Sequence, residues 1–556
     1  AMTPGGALRF APRLTLLLMA GPVIAGLAGT LRPAFEPGSI MRLLDWPGLP
    51  HAVALSLGTG LASTLLALAV TLGLVAALQG GRLFALILRL LSPLLAVPHA
   101  AAALGLAFLV APSGWIARLL SPWATGWTRP PDLLILNDPA GLSLMVGLVV
   151  KEVPFLLLIL LAALPQVDAP RRLTLMASLG YGRVAGWMLS VLPAVWPQIR
   201  PAVYAVLAYS MTAVDMALVL GPTLPPTLSA QLVIWMTSPD LAVHPVAAAG
   251  ALLQLGLVLA ALALFRCGEV ALSRVGGRLA LSGRRRVWAD LWIGPLAGGA
   301  GLLVVLAMAG SMAGLALWSF AGPWVFPQAL PERLGFDAWA RAAPGLGTAA
   351  LETLLLAVLS TALATALVLA CLEAEARLGL KPGSRALWLL WLPLIMPQVA
   401  FLPGLAELGL RTGVQGSRGA VAAAHLVFVL PYVFLSLAAP WRAWDPRIAV
   451  AGAALGASPG RIFWRLRLPM LLRPILTAAA VGFAVSVGQY LPTLLIGGGR
   501  VTTLTTEAVA LSSGGNRRII GTYAMLQLAL PLLAFALALA LPAAIFRNRI
   551  GMRPGT

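Results

Sequence analysis

DAPRRLTLMASLGYGRVAGWMLSVLP, from Asp168 to Pro193, and DPRIAVAGAALGASPGRIFWRLRLP, from Asp445 to Pro469, are two versions of one segment. Leu179-Gly180 is followed by Leu192-Pro193 at the same spacing that separates Leu455-Gly456 from Leu468-Pro469. Beyond them the match continues at the same offset, pairing Gly221 with Gly497 and Thr227-Leu228 with Thr503-Leu504. Before them, Pro154 matches Pro431 with a slip of one residue, and Pro98 and Gly105 mirror Pro397 and Gly404 with a larger slip. The chain is therefore an internal duplication, and both segments are arginine-bearing interruptions between long apolar runs.

Composition says what those runs are. The 556 residues are 60% hydrophobic and only 10% charged, with mean hydropathy +0.93. A soluble chain carries roughly 25% charged residues, and no compact soluble fold could hide so much apolar surface. Lipid can, provided that every backbone amide is satisfied within helices or closed barrels. The runs are long and continuous rather than alternating ten-residue strands, so the expected fold is an all-α integral membrane protein. Taking roughly 20 apolar residues per crossing, spans are expected near 14–31, 52–79, 90–110, 141–164, 198–220 and 246–266. A second set follows near 291–319, 346–371, 386–410, 420–439, 474–497 and 522–546. That makes about 12 helices in two halves, 1–266 and 291–556, joined by a basic cytoplasmic linker, 267–290. Each half has an even number of spans, so the repeat is parallel.

The net charge of +20 would suggest nucleic acid in a soluble protein. Here most of the basic residues collect in the segments that this topology leaves on one side, which marks that side as cytoplasmic. Both chain ends are then cytoplasmic, and no nucleic-acid partner is implied. Ala1-Met2 reads as an addition ahead of a native start. Arg9 and Arg13 precede a run, Leu14 to Leu31, that suits a full first span rather than a signal peptide. Cys267 and Cys371 fall at cytoplasmic helix ends and imply neither a disulfide nor a metal site. His51, His99, His244 and His425 are scattered, so neither metal nor cofactor is expected. Tryptophans such as Trp115, Trp123 and Trp127 read as interfacial anchors, although their loop, 111–140, could also meet a soluble partner.

The paired segments resemble the coupling loop of ABC importer permeases, in which a small-residue helix leads to Gly and then to Leu-Pro. Such a helix would lie along the membrane and present apolar residues to a groove: Met176, Leu179 and Tyr181 in one copy, Ile448, Leu455 and Phe463 in the other. Gly180 and Gly456 would allow a break and a close backbone approach, while Pro193 and Pro469 would stop the second short helix. Ala177, Leu179, Gly180, Leu192 and Pro193, with Ala451, Leu455, Gly456, Leu468 and Pro469, are the expected coupling residues. The family's Glu-Ala-Ala start is absent, replaced by Thr174-Leu175-Met176 and Val450-Ala451-Gly452. The whole chain is similar to fused permeases of type I importers of the ferric-iron and thiamine class. Val214-Asp215-Met216, Leu220 to Leu228 and Lys151-Glu152-Val153-Pro154-Phe155 look most like the thiamine-type branch. The resemblance implies a bacterial inner-membrane protein working with two copies of a cytoplasmic ATPase and a periplasmic substrate-binding protein. The chain has no phosphate-cradling Gly-Lys-Ser/Thr, since Lys381 precedes Pro382 and Lys151 precedes Glu152. It is not expected to be an enzyme.

Lys151, Glu152 and Asp215 fall within expected spans, where a charge at mid-bilayer costs about 3 kcal/mol or more. One reading puts Glu152 and Asp215 on a path for a cation such as thiamine; the other makes a structural ion pair, Lys151 with Asp215 for example. Gln489 and Tyr490, in the matching span of the second half, are weaker path candidates. A ferric-iron importer permease and an ion-gradient-driven secondary transporter remain alternatives. A membrane-embedded enzyme would need clustered catalytic groups, which the few intramembrane polar residues do not supply.

Overall fold

The computed structural model describes residues 8–283, 285, 289–380 and 383–547. Both chain ends, Arg284 and Arg286 of the expected linker, and Lys381 lie outside the described residues. Apart from an isolated bridge between Ala321 and Leu334, the described regular structure is helical. The first half contains α1 (Ala11–Ala34), α2 (Leu49–Leu78), α3 (His99–Val110), α4 (Leu142–Ala163), α5 (Leu192–Thr212), α6 (Asp215–Leu220) and α7 (His244–Leu281). The second contains α8 (Ala289–Phe320), α9 (Asp337–Leu378), α10 (Gln398–Arg411), α11 (Arg418–Arg442), α12 (Leu472–Val487), α13 (Leu491–Gly497) and α14 (Arg517–Ile545). Among the described residues nine helices are long and apolar enough to cross a membrane, or eleven if two bent pairs each count as one span. The broken pair α5 and α6 supplies the remaining crossing of the expected twelve. α7 continues as helix to Leu281, so the first part of the basic stretch is helical.

The halves exchange their first helices. α1 packs on α10 of the second half, and α8 packs on α3 of the first. Both crossings are made where a glycine lets backbones touch. A Cβ at Gly404 would overlap the carbonyl oxygen of Gly26 and the amide of Thr30. The Gly404 amide donates to Thr30 Oγ1 at 3.2 Å. At the matching place, a Cβ on Gly105 would stand 2.9 Å from both Ser311 Cβ and the Ser311 carbonyl oxygen. Small residues in lipid permit this approach, where packing rather than water exclusion drives association.

Four expected spans are not continuous helices. The third span breaks before Pro98: Val97 and Pro98 are extended, with ψ of 122° and 149°. The ninth breaks at Met396-Pro397 in the same way, turning the chain by 90°. Proline forces its predecessor out of the helical region, so the matched prolines are matched breaks. The fifth span parts at Ala213-Val214, between α5 and α6, and the eleventh at Gly488 to Tyr490, between α12 and α13.

Each break in the fifth and eleventh spans frees helical carbonyls that lipid cannot satisfy, and each is met by a fully buried glutamine from the next long helix. Gln254 Nε2 on α7 donates to the Met211 carbonyl at 3.2 Å. Gln527 Nε2 on α14 donates to Thr505 Oγ1 at 2.7 Å, and Thr505 Oγ1 donates to the Val487 carbonyl. The same pairing recurs one helix later. The Leu228 amide donates to Ser56 Oγ at 3.0 Å and the Leu504 amide to Thr353 Oγ1 at 2.9 Å.

Gly404→Ala should lower thermal stability by roughly 1–3 kcal/mol through overpacking against backbone. Gly58→Ala, where nothing lies within 4 Å of the new methyl, should not. Thermal unfolding of the purified protein distinguishes them. Equal midpoints for the two variants would mean that the α1–α10 contact is not close.

Candidate coupling surface and translocation path

Both duplicated segments fold into a short helix, a glycine turn and a second helix. The first helices are Ala169–Ser178 and Pro446–Ala454. Gly180 and Gly456 follow at φ of +82° and +78°, a conformation that a side chain resists. The hydrogen bonds repeat as well. Gly180 N donates to Ala177 O at 2.9 Å and Tyr181 N to Met176 O at 3.0 Å. Gly456 N donates to Ala453 O at 2.9 Å and Ala457 N to Gly452 O at 3.0 Å. This is the Schellman ending, which satisfies the last carbonyls of a helix and re-aims the chain.

Three details differ from the sequence expectation. The glycines serve the turn rather than a close approach, since nothing lies within 4 Å of a Cβ at Gly456 and only the Arg285 side chain, at 3.5 Å, faces Gly180. Pro193 does not stop a helix. It follows a π-helical turn, Trp187–Val191, and Pro469 follows another, Phe463–Arg467, so the wider turn accommodates the missing N–H. Only part of the apolar set faces outward. Leu179 and Leu455 are exposed, as are Ala177 and Ala451, whereas Met176, Tyr181, Ile448 and Phe463 are half-buried. Phe463 packs its ring against Trp441, centroids 6.2 Å apart, because the loop needs its own small core. Leu175, Val450 and Trp464 join the outward set; nothing in the repeat pattern singled them out. Leu192, Leu468 and Pro469 are half-buried and Pro193 is exposed.

Each loop is tied down from the neighbouring helices. Asp290 Oδ1 accepts from the amides of Val184 and Ala185 at 2.8 and 3.2 Å, and a Cβ at Gly182 would overlap that carboxylate. Near the second loop Glu373 bridges Arg377 and Arg467, while Arg377 Nη2 donates to the Pro459 carbonyl at 3.0 Å. Each loop is thereby joined to membrane helices by hydrogen bonds or ion pairs.

Glu152 and Asp215 come together with Tyr490 and with three groups not expected on the path, His99, Tyr209 and Tyr432. His99 Nε2, at the start of α3, stands 3.6 Å from Glu152 Oε1. The His99 and Tyr209 rings lie 4.7 Å apart, and Tyr209 donates its hydroxyl to Asp215 Oδ1 at 3.3 Å. Asp215 opens α6 immediately after the break in the fifth span. From the second half, Tyr432 lies within electrostatic reach of Glu152, and Tyr490 within reach of Asp215. The cluster therefore straddles the seam between the halves. Both carboxylates are buried, while His99, Tyr209, Tyr432 and Tyr490 are half-exposed around them. Lys151 is buried beside Glu152 and interacts with it electrostatically. Gln489 and Tyr490 occupy the break between α12 and α13, the positions equivalent to Ala213-Val214.

The second half adds a hydrogen-bonded network around His425. His425 bonds Ser486 Oγ and Thr493 Oγ1, each at 2.8 Å, and Ser360 Oγ donates to Ser486 Oγ at 3.0 Å. Both ring nitrogens are used, which suits packing of α11 against the broken span. Among the described residues no group of three His, Cys, Asp or Glu side chains is arranged to hold a metal ion. The sequence showed His99 only as one of four scattered histidines; what brings it to Glu152 is the break at Pro98 just before it.

Residues 366–551 match the family model described as binding-protein-dependent transport system inner membrane component. The chain is 33% identical over 522 residues to the inner membrane ABC transporter permease protein YnjC of Escherichia coli K12, covering 93% of each. It is also 33% identical over 165 residues to the molybdenum transport system permease protein ModB of Mycobacterium tuberculosis, which is 28% of this chain and 60% of that one. A spermidine/putrescine permease PotC homolog of Mycoplasma genitalium is 31% identical over 94 residues, 17% of this chain and 33% of its own. With two repeated glycine-turn loops and a relative that matches over 93% of each chain, the chain belongs to the family of binding-protein-dependent ABC importer permeases, multi-pass proteins of the inner membrane.

Proposed function

We propose that this permease docks two copies of a cytoplasmic ATPase, one on each coupling loop, and passes a cationic organic solute along the seam between its halves. Its substrate would arrive on a periplasmic binding protein, and both chain ends would be cytoplasmic. The observation that carries the reading is the repeated Schellman turn, which holds Leu179 and Leu455 outward on equivalent loops. Exposed leucines on a polar surface favour a partner with a matching groove. Closure of an ATPase dimer would draw the two loops together. Glu373 and Asp290 would carry that motion into the spans, biasing an equilibrium between inward and outward access.

The seam cluster supports a cation. Two carboxylates at membrane depth are costly to retain without a functional reason, and neither has an acidic counterpart in the second half: Val429 and Leu491 stand at the equivalent positions. Three tyrosines surround them, and aromatic faces attract cations further, by about 0.5–2 kcal/mol each. A thiamine-like solute suits this mixture of ring and charge; polyamines, named for one relative, are the alternative among organic cations. A ferric ion is a weaker match to half-exposed tyrosines around only two acids.

Gly456→Val forces a branched residue into positive φ, at a cost of about 1–2 kcal/mol, too little to unfold a large helical bundle. Uptake should be lost while the protein remains in the membrane at normal abundance; Gly180→Val should behave alike. Normal uptake in either variant would remove the docking assignment. Asp215→Asn and Glu152→Gln, tested in transport assays with radiolabelled thiamine, should each reduce uptake by about tenfold or more. A reduction confined to an anionic solute would reverse the assigned charge of the substrate.

A further inference from the structure

On the membrane face opposite the coupling loops, three arginines meet without a carboxylate. Arg118, in the short helix Trp115–Leu120, is buried at 4% exposure. Its guanidinium lies 5.3 Å from the ring centroid of Trp318, 4.7 Å from that of Trp324 and 5.5 Å from that of Phe326. Nε and Nη1 donate to the carbonyls of Ser113 and Val325 at 3.1 and 3.0 Å. Arg517, at the start of α14, lies 5.4 Å from the same Trp318 ring and donates to the Ser113 carbonyl and hydroxyl at 2.9 and 2.8 Å. Arg518 follows it, half-buried. None of the three forms an ion pair among the described residues, and together with Trp318, Trp324 and Asn516 they line a cavity of ≈450 Å³.

Like charges held this close, partly desolvated and flanking one indole, are unfavourable unless an anion completes the site. Carbonyls and aromatic faces orient the two inner guanidiniums but leave their charge uncompensated. Arg118 Nη2, Arg517 Nε and the Arg518 guanidinium make no hydrogen bond among the described residues, so donors remain for a multidentate oxyanion. Guanidinium forks match phosphate oxygens in just that way.

The surroundings say where the phosphate comes from. Trp115, Trp318 and Trp324 cluster at the ends of spans, the depth at which indoles mark the headgroup layer. On the other flank of the same short helix is an apolar groove of ≈690 Å³, bounded by Trp115, Leu317, Phe320, Leu330, Leu334 and Phe336. A charged pocket beside an apolar groove at headgroup depth complements one molecule with a phosphate and an acyl chain. We propose that Arg118, Arg517 and Arg518 bind the phosphate of an anionic phospholipid in the leaflet opposite the coupling loops, with its acyl chain along the Trp115–Phe336 groove.

The test is native mass spectrometry of the purified full chain, delipidated and titrated with phosphatidylglycerol or phosphatidylcholine. The wild type should retain phosphatidylglycerol with about tenfold preference, and Arg517→Gln/Arg518→Gln should lose that preference. Arg518→Gln alone, which removes no described hydrogen bond, should show a reduced preference if the double variant does not fold. Arg341→Gln, an exposed charge on the same face, should keep it. Equal retention of the two lipids by the wild type, or an unchanged preference in the Arg518 variant, would overturn the proposal. Displacement of phosphatidylglycerol by millimolar inorganic phosphate would also overturn it, because the site would then hold a free anion rather than a lipid.

Discussion

Backbone hydrogen bonding in the absence of water is the constraint on which the rest of this structure depends. A membrane-spanning chain must satisfy each amide and carbonyl internally, so any interruption of a helix has to be compensated by another part of the protein. This permease interrupts four spans and compensates the fifth and eleventh with Gln254 and Gln527 from the neighbouring long helices. The breaks of the third and fifth spans are buried at Val97-Pro98 and Ala213-Val214, and Gly488 at the eleventh lies against Pro98 at the third, where the proposed path for a polar solute runs. Structural necessity and transport function thus select the same location.

The exchange of first helices follows from a related demand. Two six-helix halves that only abutted could part along their seam as the path opens. Crossing α1 onto α10 and α8 onto α3 anchors each half to the other. Glycine at 404 and 105 makes those crossings close enough to hold. On the proposed function, the seam would alternate while these crossings stay joined, and the two loops, tied through Asp290 and Glu373, would move it.

Much of this was legible in one sequence because duplication acts as a control within the chain. Gly180 and Gly456 could be recognised as equivalent before any geometry was known, and both proved to have positive φ. Apolar runs located the crossings, since hydropathy over twenty residues is a local property. The breaks were not legible as breaks, although Pro98 and Pro397 had already been paired. A proline within a span is often tolerated, and whether the chain parts there depends on caps supplied from elsewhere. The seam cluster was half legible. Glu152 and Asp215 stood out as charges in apolar runs and Tyr490 through its place in the matching span, but His99, Tyr209 and Tyr432 are unremarkable residue types brought together only by folding. The outward apolar set was misassigned for a similar reason: Phe463 and Met176 serve the small cores of their own loops, which spacing alone does not reveal.

The most direct test of the central claim, that one chain carries two equivalent ATPase docking loops, is the composition of the intact complex. Mild extraction from native membranes followed by mass measurement of the assembly should give two ATPase chains for each copy of this protein. Recovery of the permease alone, or with a single ATPase chain, would contradict the equivalence of the loops built around Gly180 and Gly456.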